Sequence, residues 1–142
     1  MNSTAIPLTL TETDFIEYIA RGAGRLTARD VHRLVASMPD LREQFSRLRE
    51  SPHPETERQL WFLSEVVDHV WTEAYLDMPY GAAIEAAFAI AYFVRETDLI
   101  PDTLGAIGFI DDIAVVQTVF ARNADAFAAF RKATKLDWAD FK

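Results

Sequence analysis

The sequence predicts an all-α protein that folds as a single compact bundle of six or seven helices. Apolar residues recur at the three- and four-residue spacing of amphipathic helices along most of the chain. No stretch alternates apolar and polar residues for long enough to predict a half-buried strand. The five glycines and six prolines fall where breaks between helices are expected. A chain of 142 residues fits one domain, so we expect one helical domain over residues 1–142.

Three helices are predicted in the N-terminal third, and each begins at a residue that favours a helix start. Threonine caps the first two, because its side-chain oxygen accepts a hydrogen bond from a free amide of the first turn. Proline opens the third, because its fixed φ suits the first turn. We expect Gly22 and Gly24 to end the first helix. The predicted helices are 12–21 after Thr11, 28–38 after Thr27 and 39–51 from Pro39.

Four more helices follow a proline-containing linker, SPHPE. The first is long and amphipathic. The second, GAAIEAAFAIAYFV, is apolar on every face except at Glu85, which is the pattern of a helix buried all round. It is too short to span a bilayer, which takes about 20 residues. The predicted helices are 55–77, 81–94, 109–121 and 125–135, and those between 81 and 121 form a buried helical hairpin.

The net charge of −8 is concentrated in the C-terminal part of the chain. Residues 1–60 contain eight Arg and nine Asp or Glu, a net charge of −1, and residues 61–142 contain six Lys or Arg and thirteen Asp or Glu, a net charge of −7. The domain therefore has an arginine-containing N-terminal part (1–53) and an acidic half (54–142). A face built from the acidic half repels phosphate and attracts cations. The sequence thus favours a basic protein partner over nucleic acid.

Four aspartates, two glycines and a proline stand among apolar residues in the stretch DLIPDTLGAIGFIDD at 98–112. With its flanks, AIAYFVRETDLIPDTLGAIGFIDDIAVV, the stretch resembles the signature of the YkvA-like family, a bacterial domain of unknown function. The resemblance covers about residues 86–120 and implies a helical hairpin, but no established activity. The chain departs from the family pattern at Arg95–Thr97 and at Ala106–Ile107. The matching positions are Asp98, Leu99, Ile100, Pro101, Asp102, Gly108, Asp111 and Asp112.

The favoured interpretation of this motif is a turn between two buried helices. The first two aspartates accept hydrogen bonds from amides that the turn leaves free. The last two fall near the start of the next helix, where the macrodipole favours each carboxylate by about 0.3–1 kcal/mol. The proline fixes the direction of the chain, and the arginine just before the motif is the nearest counter-charge. The residues of this turn are Arg95, Asp98, Pro101, Asp102, Gly108, Asp111 and Asp112.

Two other interpretations of the motif stay open. Mg²⁺ and Ca²⁺ prefer several oxygen ligands, which four aspartates around one turn supply, although their spacing is not that of an EF-hand. Alternatively, the aspartates form part of a surface that docks a basic partner. A weaker metal candidate is the row Glu65, His69 and Glu73, at i, i+4 and i+8 on the long helix. For that row we favour a solvated polar face.

No set of residues predicts catalysis. Cysteine is absent, which excludes thiolate nucleophiles, thiolate metal sites and disulfides. No G-x-S-x-G elbow occurs, and every lysine follows residue 131, which excludes a P-loop. The stretch at 27–50 has the outline of a helix-turn-helix, but its arginines alternate with acids, unlike the basic face of a DNA-binding protein. We therefore lean against an enzyme.

The hypothesis from the sequence is a non-catalytic acidic helical protein that binds another, cationic protein, of the immunity, antitoxin or adaptor type. The alternative is a carboxylate-cluster metal-binding domain or metal-dependent enzyme centred on the DLIPD turn. No cofactor is expected unless the aspartates bind a divalent cation. The lack of cysteine and of an N-terminal signal fits the cytoplasm, and membrane association is disfavoured. The sequence carries no indication of the oligomeric state.

Overall fold

The structure, a computed structural model, describes residues 12–47, 54–94 and 109–135; of 12–15 and 109–112 it describes the backbone. Within these ranges the chain forms seven helices and no strand. The helices pack against one another, and the all-α prediction is confirmed. In chain order the helices are α1 (Glu12–Arg25), α2 (Ala28–Ala36), α3 (Met38–Ser46), α4 (Pro54–Trp71), α5 (Tyr80–Val94), α6 (Phe109–Arg122) and α7 (Ala124–Thr134).

Helix α1 continues through both glycines that were predicted to end it. It reaches Arg25, so the predicted end at residue 21 is wrong. A Cβ atom built at Gly22 would lie 2.2 Å from Cε1 of Phe88, a ring atom of α5. The missing side chain at Gly22 therefore lets α1 lie close against α5. This packing outweighs the weak helix propensity of glycine.

Helix α2 begins as the sequence predicts. The hydroxyl of Thr27 accepts a hydrogen bond from the amide of Asp30 at 3.1 Å. In return the Asp30 carboxylate accepts one from the amide of Thr27 at 2.9 Å. This reciprocal capping box satisfies two backbone amides at a helix start. Pro39 lies in the first turn of α3, again as predicted.

Helix α4 ends at Trp71, six residues before its predicted end at Asp77. The amide of Glu73 donates to the carbonyl of Val70 at 3.1 Å, and the amide of Ala74 donates to that of His69 at 2.8 Å. These are the two hydrogen bonds of a Schellman motif, which requires a left-handed residue and usually uses glycine. Here Glu73 takes that position with φ 63°. Because no glycine marks the position, the sequence pattern gave no sign that the helix ends there.

Helix α5 is the centre of the fold. It packs against α1, α4 and α6, and every residue from Ala82 to Tyr92 is buried. The prediction of a helix buried all round is therefore confirmed over that range. Glu85, near the start of α5, meets Arg122 at the end of α6, so the two helices run antiparallel. They are the two arms of the predicted hairpin.

An aromatic cluster packs α7 against α4 and α6. The ring of Phe62 on α4 lies 5.6–5.7 Å from the rings of Phe120, Phe127 and Phe130. The pairs with Phe127 and Phe130 are edge-to-face, an arrangement that contributes about 0.5–1.5 kcal/mol per pair beyond the buried area. Among the residues that the structure describes, no helix is long and apolar enough to cross a membrane.

Candidate functional site

Most of the predicted acidic motif lies outside the described residues. Arg95, Asp98, Pro101, Asp102 and Gly108 belong to 95–108, of which the structure describes nothing. The last two aspartates of the motif lie in the first turn of α6, where they were expected. Their backbone is described and their side chains are not. The choice between a capped turn, a metal site and a docking surface therefore stays a prediction for this motif.

An ion pair with a buried carboxylate joins the two arms of the hairpin. Arg122 donates from Nε to Oε1 of Glu85 at 3.2 Å and from Nη2 to Oε2 at 2.9 Å. Asn123 donates from Nδ2 to the same Oε1 at 2.9 Å. Glu85 is 6% exposed, so its charge depends on these three donors in place of water. The hydrogen bonds from Arg122 to Glu85 have the largest effect and raise the pKa of the guanidinium; burial opposes them, and the attraction between the two charges, the smallest of the three effects, adds to the increase.

A second cluster of charges joins α3 to α4. Arg42 donates from Nη2 to Asp68 at 2.7 Å and to Glu65 at 3.2 Å, and from Nε to the hydroxyl of Ser64 at 3.0 Å. Its guanidinium carbon lies 5.3 Å from the ring centroid of Trp61, a cation–π contact. Both carboxylates are half-buried. Their ion pairs with Arg42 hold α3 against α4.

The predicted row Glu65, His69 and Glu73 does not lie along one helix face, because α4 ends at Trp71. Nδ1 of His69 donates to the backbone carbonyl of Glu65 at 2.8 Å, and the imidazole ring meets the ring of Phe130 edge-on at 5.2 Å. Glu73 stands beyond the helix end and is exposed. Glu65 and His69 are half-buried and bonded, whereas a solvated face was expected. Among the described residues, no group of three or more His, Cys, Asp or Glu is placed to hold a metal ion.

The connection from α4 to α5, together with the first residue of α5, exposes two large apolar side chains. Leu76 is 78% exposed and Tyr80 is 69% exposed, and they are the exposed large hydrophobic residues of the described part of the chain. Two exposed carboxylates, Glu73 and Asp77, lie beside them in sequence. We call these four residues the docking loop. It combines apolar contact area with negative charge on one short segment.

Three of these features were missed by the sequence analysis: the Arg42 cluster, the Glu85–Arg122 pair and the docking loop. The Glu85–Arg122 pair had a signal in the sequence. Glu85 is the single charged residue in an otherwise apolar helix, and a buried charge requires a partner. Its partner lies 37 residues away, a separation at which sequence spacing carries no information. The docking loop was hidden because Leu76 and Asp77 were assigned to the long helix.

The architecture that these contacts define is an all-α fold in which a buried glutamate of one arm of an antiparallel hairpin pairs with an arginine of the other. Residues 82–117 match the model of a family described as "Protein of unknown function (DUF1232)". This is the YkvA-like family, and the resemblance seen in the sequence is confirmed for this segment. The match includes most of α5 and the first nine residues of α6. No curated protein and no solved structure matches the chain.

Proposed function

We propose that this protein is a non-catalytic acidic binding protein that docks a cationic protein partner through the docking loop, Glu73, Leu76, Asp77 and Tyr80. The observation that supports this proposal is the exposure of Leu76 and Tyr80 next to two exposed carboxylates. Interfaces concentrate binding energy in a few large side chains, tyrosine among the most common, and surround them with polar residues. The docking loop has that composition.

The charges of the loop are free to act on a partner. Glu65, Asp68 and Glu85 are held by arginines of the chain itself. By contrast, Glu73 and Asp77 form no ion pair with any part of the chain that the structure describes. Complementary charges at an interface raise the association rate and select the partner more than they raise affinity. A partner that presents cations around an apolar pocket fits this loop.

The loop is also held in place before binding. The Schellman motif fixes its start through two backbone hydrogen bonds. Between residues of the docking loop, Tyr75 packs edge-on against Phe130 at 5.1 Å, and Met78 is 8% exposed. These anchors on both sides of Leu76 reduce the conformational entropy that binding costs. A left-handed glutamate adds local strain of a kind that is often found at functional positions.

Affinity capture of the tagged protein from its native cells tests the proposal. We expect one basic partner in stoichiometric amount. Leu76→Ser combined with Tyr80→Ser should lose that partner, because it removes the apolar anchors. Glu73→Lys combined with Asp77→Lys should slow association with the partner. The matched control for the change in charge is Asp40→Lys combined with Asp125→Lys, at exposed positions on α3 and α7, and it should leave association unchanged. The proposal fails if all variants retain the partner equally.

The identity of the partner distinguishes an immunity or antitoxin role from an adaptor role. An immunity or antitoxin role predicts that the captured protein is a toxin or enzyme whose activity the complex lacks, whereas an adaptor role predicts an active partner. We expect both proteins in the cytoplasm.

The alternative function, a metal site on the aspartates of the DLIPD turn, predicts that millimolar Mg²⁺, Mn²⁺ or Ca²⁺ raises the melting temperature, since a ligand of the native state stabilises it. An unchanged melting temperature with all three cations would remove that alternative.

A further inference from the structure

A cavity that is open to solvent lies between α1 and α6, next to the Glu85–Arg122 ion pair. Its volume is about 300 Å³, at the lower end of the range for small-molecule sites. Apolar side chains from both helices and three polar side chains from α6 form its walls. The residues that line it are Ile16, Ala114, Gln117, Thr118, Ala121 and Arg122.

The guanidinium of Arg122, in the wall of this cavity, is fixed in orientation, and only some of its N–H groups donate hydrogen bonds within the protein. Nε and Nη2 of Arg122 donate to the two oxygens of Glu85, and Asn123 holds one of those oxygens as well. Nη1 makes no hydrogen bond to the described part of the chain. A guanidinium has five N–H donors, so the edge formed by Nη1 and Nη2 can donate hydrogen bonds to a second carboxylate. The Arg122 side chain is 32% exposed, which leaves room for that contact.

We propose that this cavity binds a small monocarboxylate with a short apolar chain, of the size of hexanoate. The planar carboxylate matches the fork of Arg122. The apolar chain lies against Ile16, Ala114 and Ala121. This site is separate from the docking loop and does not depend on the proposed function.

Charge selects a monoanion over a dianion. Glu85 already neutralises Arg122, so an entering anion meets a locally neutral pair. The protein as a whole carries a net charge of −8, which opposes a dianion such as phosphate more strongly than a monocarboxylate. Burial of the apolar chain supplies attraction that phosphate lacks.

Titration of the full-length protein with hexanoate tests the proposal, followed by thermal melting and by amide and arginine Nε–H NMR signals. For a ligand of this size we expect a dissociation constant of about 1 mM. At 10 mM hexanoate this corresponds to a rise in melting temperature of about 4 °C. The shifted NMR signals should include those of Thr118, Ala121 and Arg122. Hexylammonium and inorganic phosphate, at the same concentration and ionic strength, should leave both readouts unchanged.

A pair of matched variants locates the site. Ala121→Trp fills the cavity and should abolish the response to hexanoate. Ala128→Trp places the same side chain at an exposed position of α7 outside the cavity and should respond like the wild type. The proposal is overturned if hexanoate has no effect up to 50 mM, if hexylammonium or phosphate acts equally, or if Ala121→Trp still responds. Should Ala121→Trp fail to fold, the position of the shifted signals in the wild type decides.

Discussion

Gly22 and Gly24 lie two residues apart in α1 and have opposite roles. An alanine Cβ at Gly22 would meet the ring of Phe88 at 2.2–3.0 Å. That ring is 1% exposed and is held between Tyr18 and Tyr92, so it has little freedom to move away. At Gly24 nothing lies within 4 Å of an added Cβ.

The two glycines therefore predict opposite effects of the same substitution. Gly22→Ala should lower the free energy of unfolding by about 1–2 kcal/mol, because overpacking a core costs about 1–3 kcal/mol and the gain in helix propensity offsets part of it. Gly24→Ala should raise it by about 0.4–1 kcal/mol, because alanine reduces the entropy of the unfolded chain. Urea unfolding of the two variants checks this. Equal effects at both sites would show that α1 does not approach α5 as closely as the structure indicates.

At the scale of the helices, two arginine clusters connect elements that are distant in sequence. Arg42 links α3 to α4 and Arg122 links α6 to α5. Both arginines bind two carboxylate oxygens. In the second cluster the carboxylate is the more deeply buried member: the side chain of Glu85 is 8% exposed and that of Arg122 is 32% exposed. The cost of breaking this pair therefore falls mainly on Glu85.

Removing Arg122 should be more harmful than removing the whole pair. Arg122→Met leaves the Glu85 charge buried with Asn123 alone and should cost about 3 kcal/mol, at the lower end of the range for buried pairs because the arginine is partly exposed. Arg122→Met combined with Glu85→Met should recover most of that loss, since Asn123 keeps its hydrogen bond to the carbonyl of Val119. Denaturant unfolding of both variants at neutral pH is the measurement. A double variant as unstable as the single one would contradict this account.

The pH dependence of this contribution follows from the raised pKa of Arg122. A cation whose pKa is raised by folding stabilises the native state fully at every pH below its unfolded-state pKa. The contribution is lost only as the pH rises through the folded-state pKa. For an arginine both values lie above the range in which proteins are usually studied. The guanidinium itself therefore adds no pH dependence to stability near neutrality.

The sequence predicted the number and kind of helices better than their ends. Local signals were enough to predict the start of α2, which the capping box of Thr27 fixes. They were also enough to predict the burial of α5, because nearly all of its surface is apolar. They failed at Gly22, where a long-range contact overrides propensity, and at Glu73, where a non-glycine residue takes a left-handed conformation. Local signals could not predict the ion pair between Glu85 and Arg122 either, because the two residues meet only after the hairpin forms.

For the whole molecule, the burial pattern indicates that α5 is the most stable part of the fold. Eleven consecutive residues, 82–92, are buried, and four helices, α1, α2, α4 and α6, pack around α5. Helix α7, by contrast, packs on α6 and, through its phenylalanine rings, on α4, and it buries two side chains, Phe127 and Phe130. Local opening of α7 exposes far less apolar surface than opening of α5. Its free energy should therefore be lower.

Native-state hydrogen exchange measured residue by residue tests this order. Amides of 84–92 should exchange only through global unfolding, with a free energy of exchange equal to that from urea unfolding. Amides in the last two turns of α7 should exchange through a local opening at lower free energy, and this opening should be insensitive to low concentrations of urea because it exposes little surface. Phe130→Ala should weaken protection in α7 first, whereas Gly22→Ala should lower protection in α5 by the same amount as it lowers global stability. Protection in α7 equal to that in α5 would mean that the seven helices unfold as one cooperative unit, and that the aromatic cluster around Phe62 couples α7 to the core more strongly than its contacts indicate.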